Sequence, residues 1–348
     1  MSHTAKEQAS TSDAQHHQQL LGMINGFWIS QMVHVAADLG LADLIQQRVN
    51  SVTDLAARTQ TDSASLYRLL RALASQGLFQ ETEPEQFTLT PMASLLCTDH
   101  ADSLHGIALY SGDPRQLRYQ SWGELKRCIE TGQPAFPRLA GMKPFTYLSQ
   151  HPELAQVFAQ AMAGYTAQSA EAILAHYDFS QYQHVIDVGG GSGSLLQSIL
   201  QRYPDLSGTV FDLPEVVSEA ETRLASAGLQ ARASAVAGSF FDSLPDHGDL
   251  YILKCILHDW SDQQVVSILQ CCRRAIHTNN RLLIADAVIL PGNLPCPGKL
   301  MDLNMMVIHG GKERTESEFS NLLSQAGFAL TRTIITGSSV DLIEAQAI

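Results

Sequence analysis

Cations are scarce in this chain. Lysine and arginine number 22 against 35 aspartates and glutamates in 348 residues, a formal net charge of −13. A general nucleic-acid binder neutralises phosphates with a basic face, so this balance speaks against that class. Cysteine is sparse as well. Cys97, Cys128, Cys255, Cys271, Cys272 and Cys296 form no C-x-x-C pair, which points to reduced thiols in a cytoplasmic protein. The linear sequence has no H-x-x-E-H, no acidic D-x-D loop and no Cys/His cluster, so no metal is expected. Long apolar runs are missing too: none reaches the roughly 18–20 residues that span a bilayer, and no membrane partner is expected. The opening MSHTAKEQASTSDAQHHQQ lacks the apolar core of a signal peptide and reads as a loose polar tail over 1–19.

What remains is an ordinary globular composition, 45% hydrophobic and 16% charged, in a chain long enough for two cores. From Leu20 to Leu44 apolar residues recur at helical spacing, among them Phe27, Trp28 and Val35. The stretch from Ser51 to Pro91 reads as helix, turn, helix and short hairpin. Ser51 or Thr53 suits the first cap and Asp62 or Ser63 the second, Gly77 closes the second helix, and Leu78-Phe79 and Phe87-Leu89 flank a polar turn. The order resembles a winged helix over 20–105. Its second helix carries only Arg68 and Arg71 as cations, and the hairpin is acidic, so a DNA-binding regulator is disfavoured. A helical connector is expected over 106–180, punctuated by Pro114, Pro134, Pro137, Pro144 and Pro152.

From His184 the texture changes. Strand candidates at 184–188, 208–213, 234–238, 250–257, 281–288, 329–335 and 340–346 alternate with helical stretches, the signature of βαβ units and a largely parallel sheet over 181–348. VIDVGGGSGSLLQSIL carries the strongest local signal. A strand ends at Asp187-Val188, and a turn containing Gly189, Gly190, Gly191 and Gly193 opens a helix. Glycine lets backbone approach a ligand where a Cβ would clash. Asp212 follows at the end of the next strand, where a carboxylate suits a ribose diol. Dinucleotide oxidoreductases share this pattern. Asp187, just one residue short of the glycines, and Ser194 in the third glycine position, favour an S-adenosylmethionine site over a nicotinamide one.

IDVGGGSGSLLQSIL, GTVFDLPEV, LKCILHDWSD and HGGKERTESEF, in that order, resemble the small-molecule O-methyltransferase family that includes caffeate, flavonoid and acetylserotonin methyltransferases and bacterial polyketide and phenazine relatives. The likeness runs from about Gly26 to the C-terminus. It implies an α/β fold: a Rossmann-like, mostly parallel seven-stranded sheet with helices on both faces, plus an N-terminal winged-helix domain serving homodimerisation. It implies S-adenosyl-L-methionine as cofactor, with Asp187, Gly189 and Gly191 at its methionine end, Asp212 on the ribose and Leu213 against the adenine. Ser239 stands where the family often has Asp, and Phe240 and Lys254 match further cofactor positions. His258 matches the base that activates an acceptor hydroxyl. Glu313 and Asp286 match its carboxylate partners, Asp286 where the family more often has Glu. Trp122, Phe158, Met162, Met305, Met306 and His309 resemble acceptor-pocket positions, and methionine with aromatic residues suits a flat aromatic acceptor. Methylation of nitrogen or carbon, or cofactor binding without methyl transfer, stays open.

Overall fold

The computed structural model describes residues 3–277 and 280–348, with side chains from Ala14 onward. Contacts divide the chain into two compact units, Met1–Gln116 and Leu117–Ile348. The division between them falls within the segment read as a helical connector over 106–180.

The first unit is mainly helical. Helices His3–Ile24, Gly26–Asp38, Leu41–Gln46, Val52–Thr59 and Ser63–Ser75 precede a hairpin of β1 (Phe79–Glu83) and β2 (Gln86–Leu89). The segment read as a loose tail is thus helical from His3; it has no proline, and its alanines, glutamines, lysine and glutamate are good helix formers. Both later helices start at capped ends, Ser51 Oγ accepting from the Asp54 amide at 3.1 Å and Asp62 Oδ1 from Ser65 at 2.8 Å. Leu55, Leu70, Leu73, Phe79 and Phe87 form the core. Helix His105–Gly112 packs on Gly26–Asp38, and a Cβ on Gly112 would lie 2.2 Å from the His34 ring, so the crossing needs glycine. Leu20, Leu21, Met23, Ile24, Phe27, Trp28 and Ile29 are exposed on the first two helices. Among the described residues no single helix is long and apolar enough to cross a membrane, although Ala14–Ile24 and Gly26–Asp38, bent by 48°, pass that test as a pair.

The second unit holds seven strands: β3 (His184–Val188), β4 (Ser207–Asp212), β5 (Ala233–Ala237), β6 (Leu250–Lys254), β7 (Arg281–Asp286), β8 (Phe328–Ile334) and β9 (Asp341–Ala347). Their order is β5-β4-β3-β6-β7-β9-β8; β5 to β7 run parallel, and β9 is antiparallel to both neighbours. The α/β reading of the sequence is met. Side chains alternate between two cores with the strand period of two. Ile186, Val188, Tyr251, Leu253, Leu282 and Ile284 face one layer, packed with helices Asp262–Ala275 and Glu316–Gln325. Val185, Leu250, Ile252, Leu283 and Ala285 face the other, packed with Ser194–Arg202, Pro214–Ser226 and the 25-residue helix Pro152–His176. Because β3, β4, β6 and β7 are parallel, their carboxyl ends share one edge. The strand order turns back at β3, and ligands of open α/β sheets bind in that crevice.

Candidate active site

The strand candidate 250–257 ends earlier than expected. β6 stops at Lys254, Cys255 takes a left-handed φ of 53°, and Leu257–Asp259 form a short 3₁₀ turn. That turn holds His258 at the sheet edge. Its Nδ1 lies 2.7 Å from Glu313 Oε1, and the two side chains are 13% and 1% exposed. Burial alone would lower the pKa of His258, but the Glu313 hydrogen bond and the charges of Asp259, Asp286 and Glu313 outweigh it and hold the imidazole well above its ordinary range. With Nδ1 engaged, Nε2 is the nitrogen left to accept a proton; its nearest carboxylate, Asp259 Oδ1, is 4.0 Å away. Asp286 sits at the end of β7, fully buried, and both its carboxylate oxygens lack a hydrogen-bond partner among the described residues. It is a charge beside His258 rather than a hydrogen-bonded partner, as the shorter reach of aspartate leads one to expect.

Glu313 comes from a loop outside the sheet, and Arg314 explains its placement. Arg314 has no exposed surface. Its guanidinium donates to the carbonyls of Leu257 at 2.9 Å, Trp260 at 2.8 Å and Lys312 at 3.2 Å, and to Asp262 Oδ1 at 2.9 and 3.0 Å. It thereby ties the His258 turn to the Glu313 loop from both sides. A bridge between Val288 and Arg314 joins the same loop to the chain beyond β7. The loops pack so closely that a Cβ on Gly311 would lie 1.9 Å from the His258 carbonyl oxygen. Asp302 fixes the other side, accepting from the Glu313 amide at 3.0 Å. Replacing Arg314 by methionine orphans these carbonyls in the interior. We expect Arg314→Met to cost about 2–5 kcal/mol of stability, because each buried carbonyl left without a donor costs about 1–3 kcal/mol, while Asp262, half exposed and paired with Lys312, adds little. Urea unfolding checks this, and a loss under about 1 kcal/mol would show that water replaces the guanidinium.

The glycine turn is shaped as a cradle. Gly189, Gly191 and Gly193 have φ of 70°, 57° and 76°, values that only glycine adopts without strain. A Cβ on Gly189 would lie 2.4 Å from Ile256 Cδ1, and one on Gly190 2.7 Å from Asp187 Cγ, whereas Gly191 faces open space. Asp212 closes the turn: Oδ2 accepts from the Gly191 amide at 2.8 Å and Oδ1 from Leu213 at 2.7 Å. A carboxylate offers about four lone pairs, so two stay available to a diol. Burial pushes Asp187 up to about 7, against the pull of Lys254, and its Oδ2 has no partner among the described residues. Beyond Asp212, Leu213 is 45% exposed, an apolar surface that a flat base would cover. Ser239 Oγ accepts from the Phe241 amide at 3.2 Å, and Phe240 and Phe241 meet Trp260 edge-on. An orphaned carboxylate oxygen, an open glycine and a half-free Asp212 fit a nucleoside bearing an amino acid.

Among the residues expected to line an acceptor pocket, His309 places Nδ1 3.6 Å from Asp259 Oδ1, and burial lowers its pKa. Its ring sits 5.4 Å from Phe145, which in turn meets Phe158 edge-on at 6.2 Å. Trp122 Nε1 donates to Asn304 Oδ1 at 3.2 Å. Trp122 and Met306 pack on a small core of Cys128, Phe136, Val307 and Ile308, and Met305 is buried, so these three serve packing at least in part. Met162 follows Phe158 by one turn on the helix Pro152–His176. Phe145, Asn304 and Arg314 were not among the residues singled out in the sequence. Arg314 lies inside a quoted motif beside Glu313, whereas Phe145 and Asn304 carried no local signal.

Two family models match: an O-methyltransferase domain over residues 122–329 and an O-methyltransferase dimerisation domain over 21–99. The phenazine O-methyltransferase of Lysobacter antibioticus is 43% identical over 329 residues, 94% of this chain and 96% of that protein. The 8-amino-8-demethylriboflavin N,N-dimethyltransferase of Streptomyces davaonensis is 34% identical over 91% of this chain and 92% of its own. Among solved structures, LaPhzM superposes with a TM-score of 0.91 at 43% identity, covering 95% of this chain and 99% of that one. Human N-acetylserotonin methyltransferase, solved with S-adenosylmethionine, gives 0.88 at 29% identity, covering 96% and 98%.

Proposed function

We propose, from the premise that this chain belongs to the S-adenosylmethionine-dependent O-methyltransferase family, that it methylates a phenolic hydroxyl of a small aromatic acceptor with His258 as general base. The observation that carries the reading is the 2.7 Å bond between His258 Nδ1 and the buried Glu313 carboxylate. The cofactor supplies an electrophilic methyl on a sulfonium, already a good leaving group. The protein's task is to hold the acceptor oxygen in line and to take its proton. A phenol is mostly protonated at neutral pH, and the base removes that obstacle as the bond to carbon forms. Glu313 fixes the imidazole so that the proton moves from the hydroxyl to Nε2. The carboxylates that raise the basicity of His258 make its neutral form a stronger proton acceptor.

In the same reading Asp187, Gly189 and Gly191 hold the methionine end of the cofactor, Asp212 the ribose, Leu213, Ser239 and Phe240 the adenine, with Lys254 close to Asp187. His309, Phe145 and Phe158 form the aromatic wall of the acceptor site, with Trp122, Met162, Met305 and Met306 around it. An arylamine already carries its lone pair and needs no deprotonation before attack, so the His258–Glu313 pair favours oxygen; the N,N-dimethyltransferase relative makes nitrogen the alternative to test. The test is direct. Incubation with methyl-labelled S-adenosylmethionine and matched phenols and anilines should transfer label to the phenols, while calorimetry shows binding of S-adenosylhomocysteine and none of NAD. Label on the anilines alone would overturn the hydroxyl reading.

The first unit completes the proposal. Apart from Leu20, its exposed apolar stripe on His3–Ile24 and Gly26–Asp38 lies within the matched dimerisation domain, and a contiguous patch of this kind marks an interaction surface. We expect a homodimer. Phe27 and Trp28, 49% and 56% exposed, can be changed without disturbing the core. The double variant Phe27→Glu/Trp28→Glu should halve the mass in light scattering; an unchanged mass would place the contact elsewhere.

A further inference from the structure

We propose that Cys255, His258 and Asp286 form a site for a thiophilic divalent cation of the Zn²⁺ type, and that filling it switches methyl transfer off. The inhibitory half rests on the reading of His258 as base. One donor atom from each residue, a thiol sulfur, an imidazole nitrogen and a carboxylate oxygen, lies within 4.8 Å of the other two. By plane geometry, three atoms so spaced all lie within about 2.8 Å of a common point, roughly 0.5–0.8 Å beyond zinc–sulfur and zinc–nitrogen or zinc–oxygen bond lengths. Small side-chain rotations close that gap. The mixed S, N, O set suits Zn²⁺ and disfavours Mg²⁺ or Ca²⁺, which take oxygen.

A second observation points the same way. Asp286 has no exposed surface, yet among the described residues neither of its oxygens has a hydrogen-bond partner, and Glu313 Oε2 beside it is also without one. Orphaned carboxylate oxygens in the interior are costly and call for an explanation. A cation on Asp286 supplies it and leaves Glu313 Oε2 as a fourth donor. Coordination forms a metal–sulfur bond and releases the thiol proton to solvent, with no change in oxidation state. The three residues come from the end of β6, the following turn and the end of β7, so linear spacing hides the cluster. Inhibition follows from whichever imidazole nitrogen the metal takes. If it is Nε2, the lone pair that accepts the substrate proton is used up. If it is Nδ1, the Glu313 bond is broken and a double positive charge sits beside the base.

Cys255 has no place in the catalytic or cofactor machinery, so Cys255→Ala should keep basal activity. A second group, Asp43, Cys97 and Asp99, lies in the first unit, and Cys97→Ala serves as the comparator. Chelator-treated full-length protein is titrated with Co²⁺, following the thiolate-to-cobalt absorption band, and then with Zn²⁺ while methyl transfer is measured. We expect one Co²⁺ per chain with a thiolate band, and Zn²⁺ inhibition reversed by EDTA. In Cys255→Ala the band should vanish and half-inhibition should need at least about tenfold more Zn²⁺, in line with loss of a metal ligand, whereas Cys97→Ala should behave as wild type. A band and inhibition that survive in Cys255→Ala, or no band at all, would overturn the site. A Cys255-dependent band without loss of methyl transfer would overturn the switch and, with it, the assignment of His258 as base. The band is read without substrate, so a protein that methylates no phenol still reports on the site.

Discussion

His258→Ala is expected to lower kcat by about 10²–10⁴-fold, roughly 3–5 kcal/mol of barrier, while the dissociation constant of S-adenosylhomocysteine changes less than about twofold. The split follows from the geometry. His258 belongs to the turn after β6, and its close polar partner among the described residues is Glu313, whereas the glycine turn is held by the Gly191 and Leu213 amides donating to the Asp212 carboxylate. Removing the imidazole should therefore cost chemistry and leave the cofactor cradle intact. Glu313→Gln keeps an oxygen that can accept from Nδ1 but loses the charge, so its rate should fall between wild type and His258→Ala. Single-turnover rates together with calorimetry check both variants. If His258→Ala methylated phenols at the wild-type rate, the proton would have to leave by another route and alignment alone would carry the reaction.

The sheet was legible because its signal is physical and local. Val185 to Val188, Leu250 to Leu253 and Leu282 to Ala285 alternate between two buried layers, so they appear as short apolar runs that neither a helix nor a loop would need. The glycine turn was legible because several glycines after a strand have few other uses, and the observed positive φ values at Gly189, Gly191 and Gly193 supply the reason. Caps at Ser51, Asp62, Ser261 and Thr315 follow the same logic of short polar side chains satisfying free amides. What failed to show lies in contacts between distant segments. The tie of Arg314 to carbonyls at 257 and 260 depends on two loops meeting, and an arginine in a polar loop reads as solvated until its burial is known. The closeness of Cys255 to Asp286 depends on strand pairing between β6 and β7. Asp286 matched a position for a histidine partner, yet one methylene fewer than glutamate leaves it beside His258 without a hydrogen bond, a difference of length that sequence matching does not weigh. The early end of β6 arises because Cys255 takes φ of 53°, a backbone choice that LYILKCIL, apolar and strand-like throughout, gives no hint of.

Asp212→Ala should weaken S-adenosylhomocysteine binding by about 10²–10³-fold and, at saturating cofactor, leave kcat within about fivefold of wild type. Two contributions add. The carboxylate is proposed to accept from the ribose diol, and hydrogen bonds to a charged group are worth about 1.5–3 kcal/mol each. The same carboxylate also holds the Gly191 amide at 2.8 Å and the Leu213 amide at 2.7 Å, so its loss frees the turn that carries the cradle. Burial already pushes the Asp212 carboxyl above its usual range, while the amide bonds from Leu213 and Gly191 pull it back. Asp212→Asn separates the two contributions. Its side-chain oxygen can still accept from one amide and keep part of the turn, but the charge and the second acceptor are gone. Its affinity should therefore fall between wild type and Asp212→Ala. Were Asp212→Asn as weak as Asp212→Ala, charge on the diol would dominate; were it as tight as wild type, the carboxylate would serve the turn alone and the ribose would be held elsewhere. Calorimetry of the three proteins with S-adenosylhomocysteine distinguishes these cases. Because His258 sits on a different strand end, none of them should change the rate of the bound complex by more than about fivefold, which makes Asp212 and His258 a pair of variants whose defects fall on opposite sides of the same reaction.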